Sequence, residues 1–490
     1  MEINYQTIKN DCVQEVGRGQ TVVRSEVDTR DRGGAAKLLS VGTDAVVTSV
    51  EAVAGEARVY GRVNYKITYL DEEGKMAGLD YFGEFDLSVA DERIEVGDTV
   101  ATAGVLDAEC TLSAGTIRLE TVVEARLRQI VSHQAEVAVD AQCECERCTL
   151  DAMSLVPIAD ATFEVVEEVE SHHNIDRVLL FDAKAIHTDT RTGVDSVTVE
   201  GKVFAEVVYL SQGQVLEQDV SFDFAEQLDL ESEVDLDLTL RQSKLVLTGE
   251  DDNNVLRIEA VLAVGGYRLV ESRYEAVCDA YVDDADVRLV QDSFVCRRYE
   301  GMTSRVERVS SRIDAAEMNV EGGVVAATVA RVNVANFIAG NGQITAEGLA
   351  VAGVLYRGED GVMQAGEVEL PFSVTFASQA VDPDCTLVGE AIAVGLKAAK
   401  TGTIDVDLLF AVKCYRPTAV RYVTDIEVSP CADRGAVMSV YFAAPDATVW
   451  EIARAVHVSP KALLQQNPDL ATPVESAARR VLVFRHRELE

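Results

Sequence analysis

Three stretches of this chain are written in one frame: "VYGRVNYKITYL" (59–70), "VEGKVFAEVVYL" (199–210) and "AEGLAVAGVLYR" (346–357). In each, a Gly is followed eight residues later by a Tyr: Gly61 and Tyr69, Gly201 and Tyr209, Gly348 and Tyr356. All three alternate. Val63, Tyr65, Ile67 and Tyr69 fall on one face, with Arg62, Asn64, Lys66 and Thr68 on the other. In the second copy Val203, Ala205, Val207 and Tyr209 oppose Lys202, Phe204 and Glu206. A period of two sets side chains on opposite sides of an extended backbone, so each stretch predicts a β-strand with one buried face.

The frame runs on past this strand. A polar turn ("DEEGK", "SQGQ", "GEDG") leads to a second strand carrying Phe85, Phe224 and Phe372. Ile117, Leu256 and Ile404 then stand 56, 55 and 56 residues past the repeat Gly, each after a turn rich in Gly, Asn, Asp or Ser. Upstream, matching hairpins are expected around residues 55, 193 and 341. A spacing held to one position over three copies marks homologous repeats. The chain is therefore read as mainly β: three tandem β-sandwich-like or partly open barrel modules over 1–140, 150–280 and 285–425, built of short regular strands. A small unit over 436–490 follows. Triplicate modules present extended surface, whereas a catalytic site is ordinarily built once, so the repetition points to a scaffold.

The last unit has its own punctuation. Thr448 and Glu451 make a capping box ahead of an apolar stripe of Trp450, Ile452, Ala453 and Val456. Ser459-Pro460 opens a second helix through Leu463 and Leu464, and Asn467-Pro468 closes it. Strands "SVYFA" (439–443) and "RVLVFR" (480–485) flank the pair, giving a β-α-α-β order.

The repeated Gly-containing strand, the Phe-bearing strand after it and this terminal unit resemble the SPOCS modules and LysM domain of bacterial spore proteins. Three such modules followed by LysM are similar to the SipL family of clostridial spore-coat morphogenetic proteins. That resemblance implies a spore-coat assembly factor in the mother-cell cytoplasm at the forespore surface, whose LysM end engages a SpoIVA-like coat ATPase, with other coat proteins as further partners. It also implies the alternative, a protein that binds peptidoglycan through a backbone-lined LysM groove. On this sequence the groove falls at Asp446, Ala447, Thr448, Trp450, Asn467 and Pro468. The family pattern Gly-Asp-Thr-Leu stands here as Asp446-Ala447-Thr448-Val449, which puts an acid where Gly would let a ligand approach the backbone. Trp450 reads either as core or as a ligand contact. Arg479, Arg480, Arg485 and Arg487 read as a solvated strand face or as docking charge for an acidic protein partner.

The charge of the whole chain favours basic partners, cations or simple solubility. The net charge of −39 argues against nucleic acid and anionic membranes, whose phosphates require a basic patch. The N-terminus "MEINYQTIKNDCVQEVGRGQ" has neither the basic region nor the apolar region of an export signal, and no run is long enough to span a membrane; a soluble cytosolic protein is expected. The ten cysteines are scattered, as for reduced thiols, apart from "CECERC" with Cys143, Cys145 and Cys148. These three are a weak metal candidate with His172 and His173 as the available fourth ligands, but a structural zinc site ordinarily takes two paired ligand sets and only one stands here, so no metal or other cofactor is expected. No P-loop, Gly-x-Ser-x-Gly, His-Glu-x-x-His or EF-hand pattern occurs, and acidic pairs such as Glu167-Glu168, Asp251-Asp252 and Asp283-Asp284 read as solvated turns among 83 acidic residues; no enzyme is expected.

Overall fold

The structure is a computed structural model and describes all residues except 231–232, 250–254, 283–284, 314–317, 319–323, 359–360, 380, 400–401, 431–437, 472, 475–478 and 485–490. Arg485, Arg487 and the pairs Asp251-Asp252 and Asp283-Asp284 thus lie outside the described residues. The first repeat holds β1 (Ile3–Asp28), β2 (Ala35–Val53), β3 (Glu56–Asp71), β4 (Met76–Ala90), β5 (Thr99–Ser113) and β6 (Thr116–Ala141). The second holds β7 (Glu144–Glu170), β8 (Arg177–Thr192), β9 (Val197–Ser211), β10 (Gln214–Leu228), β11 (Val234–Thr248) and β12 (Val255–Tyr281). The third holds β13 (Ala285–Arg312), β14 (Val324–Gly340), β15 (Gln343–Arg357), β16 (Met363–Ala377), β17 (Thr386–Ala399) and β18 (Thr403–Pro430).

The protein is mainly β, and each repeat folds into two three-stranded antiparallel sheets. In the first these are β2-β3-β4 and β1-β6-β5, and the order recurs as β8-β9-β10 with β7-β12-β11 and as β14-β15-β16 with β13-β18-β17. The core of the first repeat draws Val23 from β1, Tyr65 and Tyr69 from β3, Leu87 from β4, Val105 from β5 and Leu119 from β6, so the two sheets bury their apolar faces together.

The repeated Gly has the same role three times. Gly61, Gly201 and Gly348 sit across the ladder from Phe85, Phe224 and Phe372. A Cβ on the Gly would lie 2.3, 2.3 and 2.6 Å from the ring's Cζ, so the bare backbone is the slot that receives the aromatic ring. On its other side each Gly pairs with the residue before a register shift, at Val47/Ser49, His187/Asp189 and Val334/Asn336. The bulge bends the edge strand at the Gly and sharpens the local twist.

Two expectations are corrected. The first is the single buried face. In β9, Phe204, Glu206 and Val208 are buried as thoroughly as the alternating Val203, Ala205 and Val207. The reason lies between repeats: Phe204 packs on Ile392, Leu409 and Ala411 of the third repeat, and Val208 joins Leu39, Leu70 and Met76 of the first. The second is short strands. β1, β6, β7, β12, β13 and β18 each run 26 to 28 residues. They pair as three long ribbons that leave their sheets and converge. Ile8 and Val137 of the first, Leu150 and Leu269 of the second, and Phe294 and Tyr422 of the third share one apolar cluster, so each ribbon's extension is stabilised by the other two.

The C-terminal unit follows as β19 (Met438–Ala443), α1 (Val449–Val456), α2 (Pro460–Gln466) and β20 (Arg479–Phe484), the expected β-α-α-β order. Its capping box is formed: the Glu451 N–H donates to Thr448 Oγ1 at 3.2 Å and the Thr448 N–H to Glu451 Oε2 at 2.8 Å. Ser459 Oγ accepts from Ala462 N at 3.2 Å. Ile452, Ala453, Val456 and Leu463 pack on Val481 and Val483 of the two-stranded sheet. Among the described residues no helix is long and apolar enough to cross a membrane.

Candidate functional site: the latched C-terminal unit and the junction of the repeats

The C-terminal unit is clasped to the tip of the second ribbon through Asp279 and Tyr281. One carboxylate oxygen of Asp279 accepts from Trp450 Nε1 at 2.9 Å and from Arg454 Nη1 at 2.7 Å. The Tyr281 hydroxyl donates to the Val458 carbonyl at 2.8 Å, and its ring centroid lies 5.1 Å from that of Trp450. Trp450 is therefore a third thing: neither a purely internal core residue nor an open ligand contact, but the half-buried side chain that latches the unit to the body. Alongside, a cavity of about 400 Å³ lined by Asp286, Val287, Arg454 and His457 interrupts the contact. The latch is local.

The remaining groove residues hold the unit together. Asp446 adopts φ of 64°, the left-handed conformation for which Gly is the natural residue, so the acid occupies a backbone geometry of Gly type. Its N–H donates to the Val474 carbonyl at 2.9 Å, while the Val474 N–H donates to the Ala447 carbonyl at 3.2 Å. The two loops that would border a glycan thus satisfy each other at these groups. Thr448 is committed to its cap. Asn467 spends its amide on strand β20, accepting from Leu482 N at 2.8 Å and donating to Leu482 O at 2.7 Å. Pro468 is exposed beside it.

What the unit offers outward is the other face of its sheet. Met438, Val440 and Phe442 alternate on β19, Leu482 and Phe484 on β20, and all five are between 43% and 60% exposed. They face one way, because the ladder pairs Met438 with Phe484 and Val440 with Leu482. Arg480, paired with Phe442, holds its guanidinium 5.9 Å from that ring's centroid. Arg479 instead donates to the Asp469 carbonyl. The face is thus apolar and edged by positive charge.

"CECERC" does not converge on a metal. Cys143 and Cys145 place their sulfurs 3.5 Å apart, whereas Cys148, paired with Ala276, makes a thiol contact with Cys278 at the Val277/Asp279 register shift. His172 and His173 follow the far end of β7, a strand of 27 residues, at the opposite end of the ribbon. Among the described residues no group of three or more His, Cys, Asp or Glu side chains could hold a metal ion.

A second polar site went unread in the sequence. Where the three repeats meet, Lys413 Nζ donates to Asp235 Oδ1 and Asp237 Oδ1, both at 2.7 Å, and the Tyr415 hydroxyl to Asp235 Oδ2 at 2.6 Å. Arg128 of the first repeat stands 3.6 Å from Asp237. Burial opposes the Lys413 charge, but Asp237, Asp235 and Tyr415 outweigh it and hold the ammonium well above its ordinary pKa. The same two cations overcome burial at Asp237 and keep it ionised. The available signal was a single Lys inside the apolar run "LLFAVKCY" (408–415).

Next to this network lies a cavity of about 1030 Å³ between the repeats, lined by edge strands β2, β5, β8 and β11 and by Glu390 of β17. Asp44 and Glu390 line this partly open space and are both exposed to it. Burial, with Asp182 beside it, pushes Asp44 up to about 6; burial, with Asp237 beside it, pushes Glu390 up to about 7. Glu217 is also exposed; partial desolvation raises it to about 7, although it accepts the Ala327 N–H of the third repeat at 2.7 Å.

A scan against known protein families found no match, and searches of curated proteins and of solved structures likewise returned none.

Proposed function

We propose that this chain is a non-enzymatic assembly factor of a bacterial spore coat. In this reading the C-terminal unit is a LysM-type module turned from sugar to protein, docking a SpoIVA-like coat ATPase, and the three SPOCS-like modules form the scaffold at the forespore surface, within the mother-cell cytoplasm. One observation carries it: the outward face of β19 and β20 gathers Met438, Val440, Phe442, Leu482 and Phe484 beside Arg480. Two further features support it. The loops of the would-be sugar groove bond to one another at Asp446, Ala447 and Val474. The body is a set of repeated sheets locked by ribbons, a construction suited to holding separate contacts at fixed spacing and raising effective concentration where a layer assembles. Binding of the full chain, measured side by side on purified peptidoglycan and on the organism's own SpoIVA-like ATPase, tests the reading. Binding to the ATPase and not to the glycan supports it; binding to peptidoglycan alone overturns it in favour of a wall-binding protein.

A further inference from the structure

At the tip of the first two ribbons the chain turns from β6 into β7 through Gln142 and Cys143, and the Cys143 N–H donates to the Ala141 carbonyl at 2.8 Å. That bend brings the Cys143 and Cys145 sulfurs to 3.5 Å, a thiol–thiol hydrogen bond. Both side chains are half-buried. They pack against Ala138, Val277, Ala280, Val423 and Ile426, drawn from all three ribbons. We propose that Cys143 and Cys145 form a redox-active dithiol that closes to an intramolecular disulfide with a small disulfide of the glutathione type.

The exchange balances in two steps. One cysteine, as thiolate, attacks a sulfur of the oxidant, forming a mixed disulfide and releasing the first reduced thiol. The neighbouring thiolate then attacks the protein sulfur of that mixed disulfide, closing the Cys143–Cys145 bond and releasing the second. Two S–H hydrogens leave the protein and end on the two released thiols, and the oxidant's S–S bond is reduced by the same two electrons.

Geometry selects this pair. The sulfurs need to approach by about 1.5 Å to reach a bond length of ~2.05 Å; Cys143 sits at the bend between β6 and β7, where backbone can yield, while Cys145 is held in the β7 ladder. Burial, the contact with Cys145 and the surrounding carboxylates push the Cys143 thiol up to about 12. The site is therefore slow at neutral pH and accelerated by base. Cys278 contacts Cys148 but also donates to the Glu146 carbonyl at 3.4 Å, and the Cys385–Cys414 pair, like Cys12 and Cys296, is buried. The ladder sets Cys145 opposite Ala280, between Asp279 and Tyr281, so the dithiol backs directly onto the residues that grip the C-terminal unit.

The sequence provides a clean assay. Trypsin cleaves after Arg128 and Arg147, and peptide 129–147 contains Cys143 and Cys145 as its two cysteines. The reduced, folded full chain is treated with oxidised glutathione in mildly alkaline buffer, alkylated, digested and analysed by mass spectrometry. The expected result is a peptide 129–147 lighter by two hydrogens with no alkyl group, and, in full-length Cys143→Ser, a persistent glutathione adduct on Cys145 that has no resolving partner. Wild-type peptide that still takes two alkyl groups, or that keeps a glutathione adduct without closing, overturns the proposal.

Discussion

The ring of Phe85 occupies the space a side chain on Gly61 would fill: a Cβ there would meet the Phe85 ring at 2.3 Å and the Val46 carbonyl at 2.6 Å. The same exchange of a missing side chain for a cross-strand ring recurs at Gly201 with Phe224 and at Gly348 with Phe372. The repeat motif is thus a packing device, and its energetics can be measured one copy at a time.

Gly201→Ala is expected to destabilise by about 2–3 kcal/mol, since the new methyl meets a ring and the Ile186 carbonyl at 2.5 Å. Phe224→Ala is expected to cost about 3–5 kcal/mol through the cavity it leaves. Because each change acts on the other's partner, the double variant should cost less than the sum. Denaturant unfolding of the four proteins measures this; simple additivity would show that the ring and the glycine are independent.

Replacing Lys413 with Met is expected to destabilise by about 3–5 kcal/mol, because it leaves Asp235 and Asp237 facing each other at the junction without their shared cation. The triple change Lys413→Met with Asp235→Asn and Asp237→Asn should recover much of that loss. Chemical denaturation of both variants tests whether the network, rather than the lysine's bulk, is what matters.

The junction should also tighten in mild acid. Asp44, Glu217 and Glu390 are pushed up to about 6, 7 and 7, whereas an unfolded carboxyl titrates near ~4. Between those values the folded protein binds more protons than the unfolded chain, so their contribution is fully present below ~4 and is lost as pH rises through about 7. The ionised Asp237 acts with the opposite sign, but only as pH falls below ~4. All three side chains keep accessible surface, so solvent screening limits the effect: the melting temperature should decline only modestly from about pH 5 to pH 8, and Glu217→Gln with Glu390→Gln should flatten that slope.

The latch has a built-in reporter, since Trp450 is the chain's single tryptophan. Asp279→Ala removes the acceptor of both the indole N–H and Arg454, interactions worth about 2 kcal/mol together in a half-exposed setting. Its emission should shift to the red as the ring gains water, with the capped helices of the unit retained by circular dichroism. An unchanged spectrum would place the latch elsewhere.

Much of this was legible because it is local. Strand period, the Gly-to-Phe frame, the Thr448–Glu451 cap and the Ser459-Pro460 helix start are each written within a few residues. The ribbons were not: their outer halves alternate less regularly across the register shifts at Val264/Gly266 and Val277/Asp279, and their burial depends on two other ribbons. Nor was the latch, where Asp279 meets Trp450 across 171 residues and is one acid among 83. Lys413 carried a faint signal, a cation in an apolar run, but its partners lie some 178 residues away. The groove residues could be located by pattern, yet their commitments to Val474 and Leu482 became visible only in three dimensions.

The most direct measurement is the affinity of full-length protein for the SpoIVA-like ATPase, comparing wild type with Phe442→Asp and Leu482→Asp on the exposed sheet face and with Asp446→Gly in the groove. Under the proposed docking, wild-type binding is expected to fall at least tenfold in both sheet-face variants and to hold in Asp446→Gly. Loss of ATPase binding in none of them, together with retention on peptidoglycan that Asp446→Gly strengthens, would contradict it.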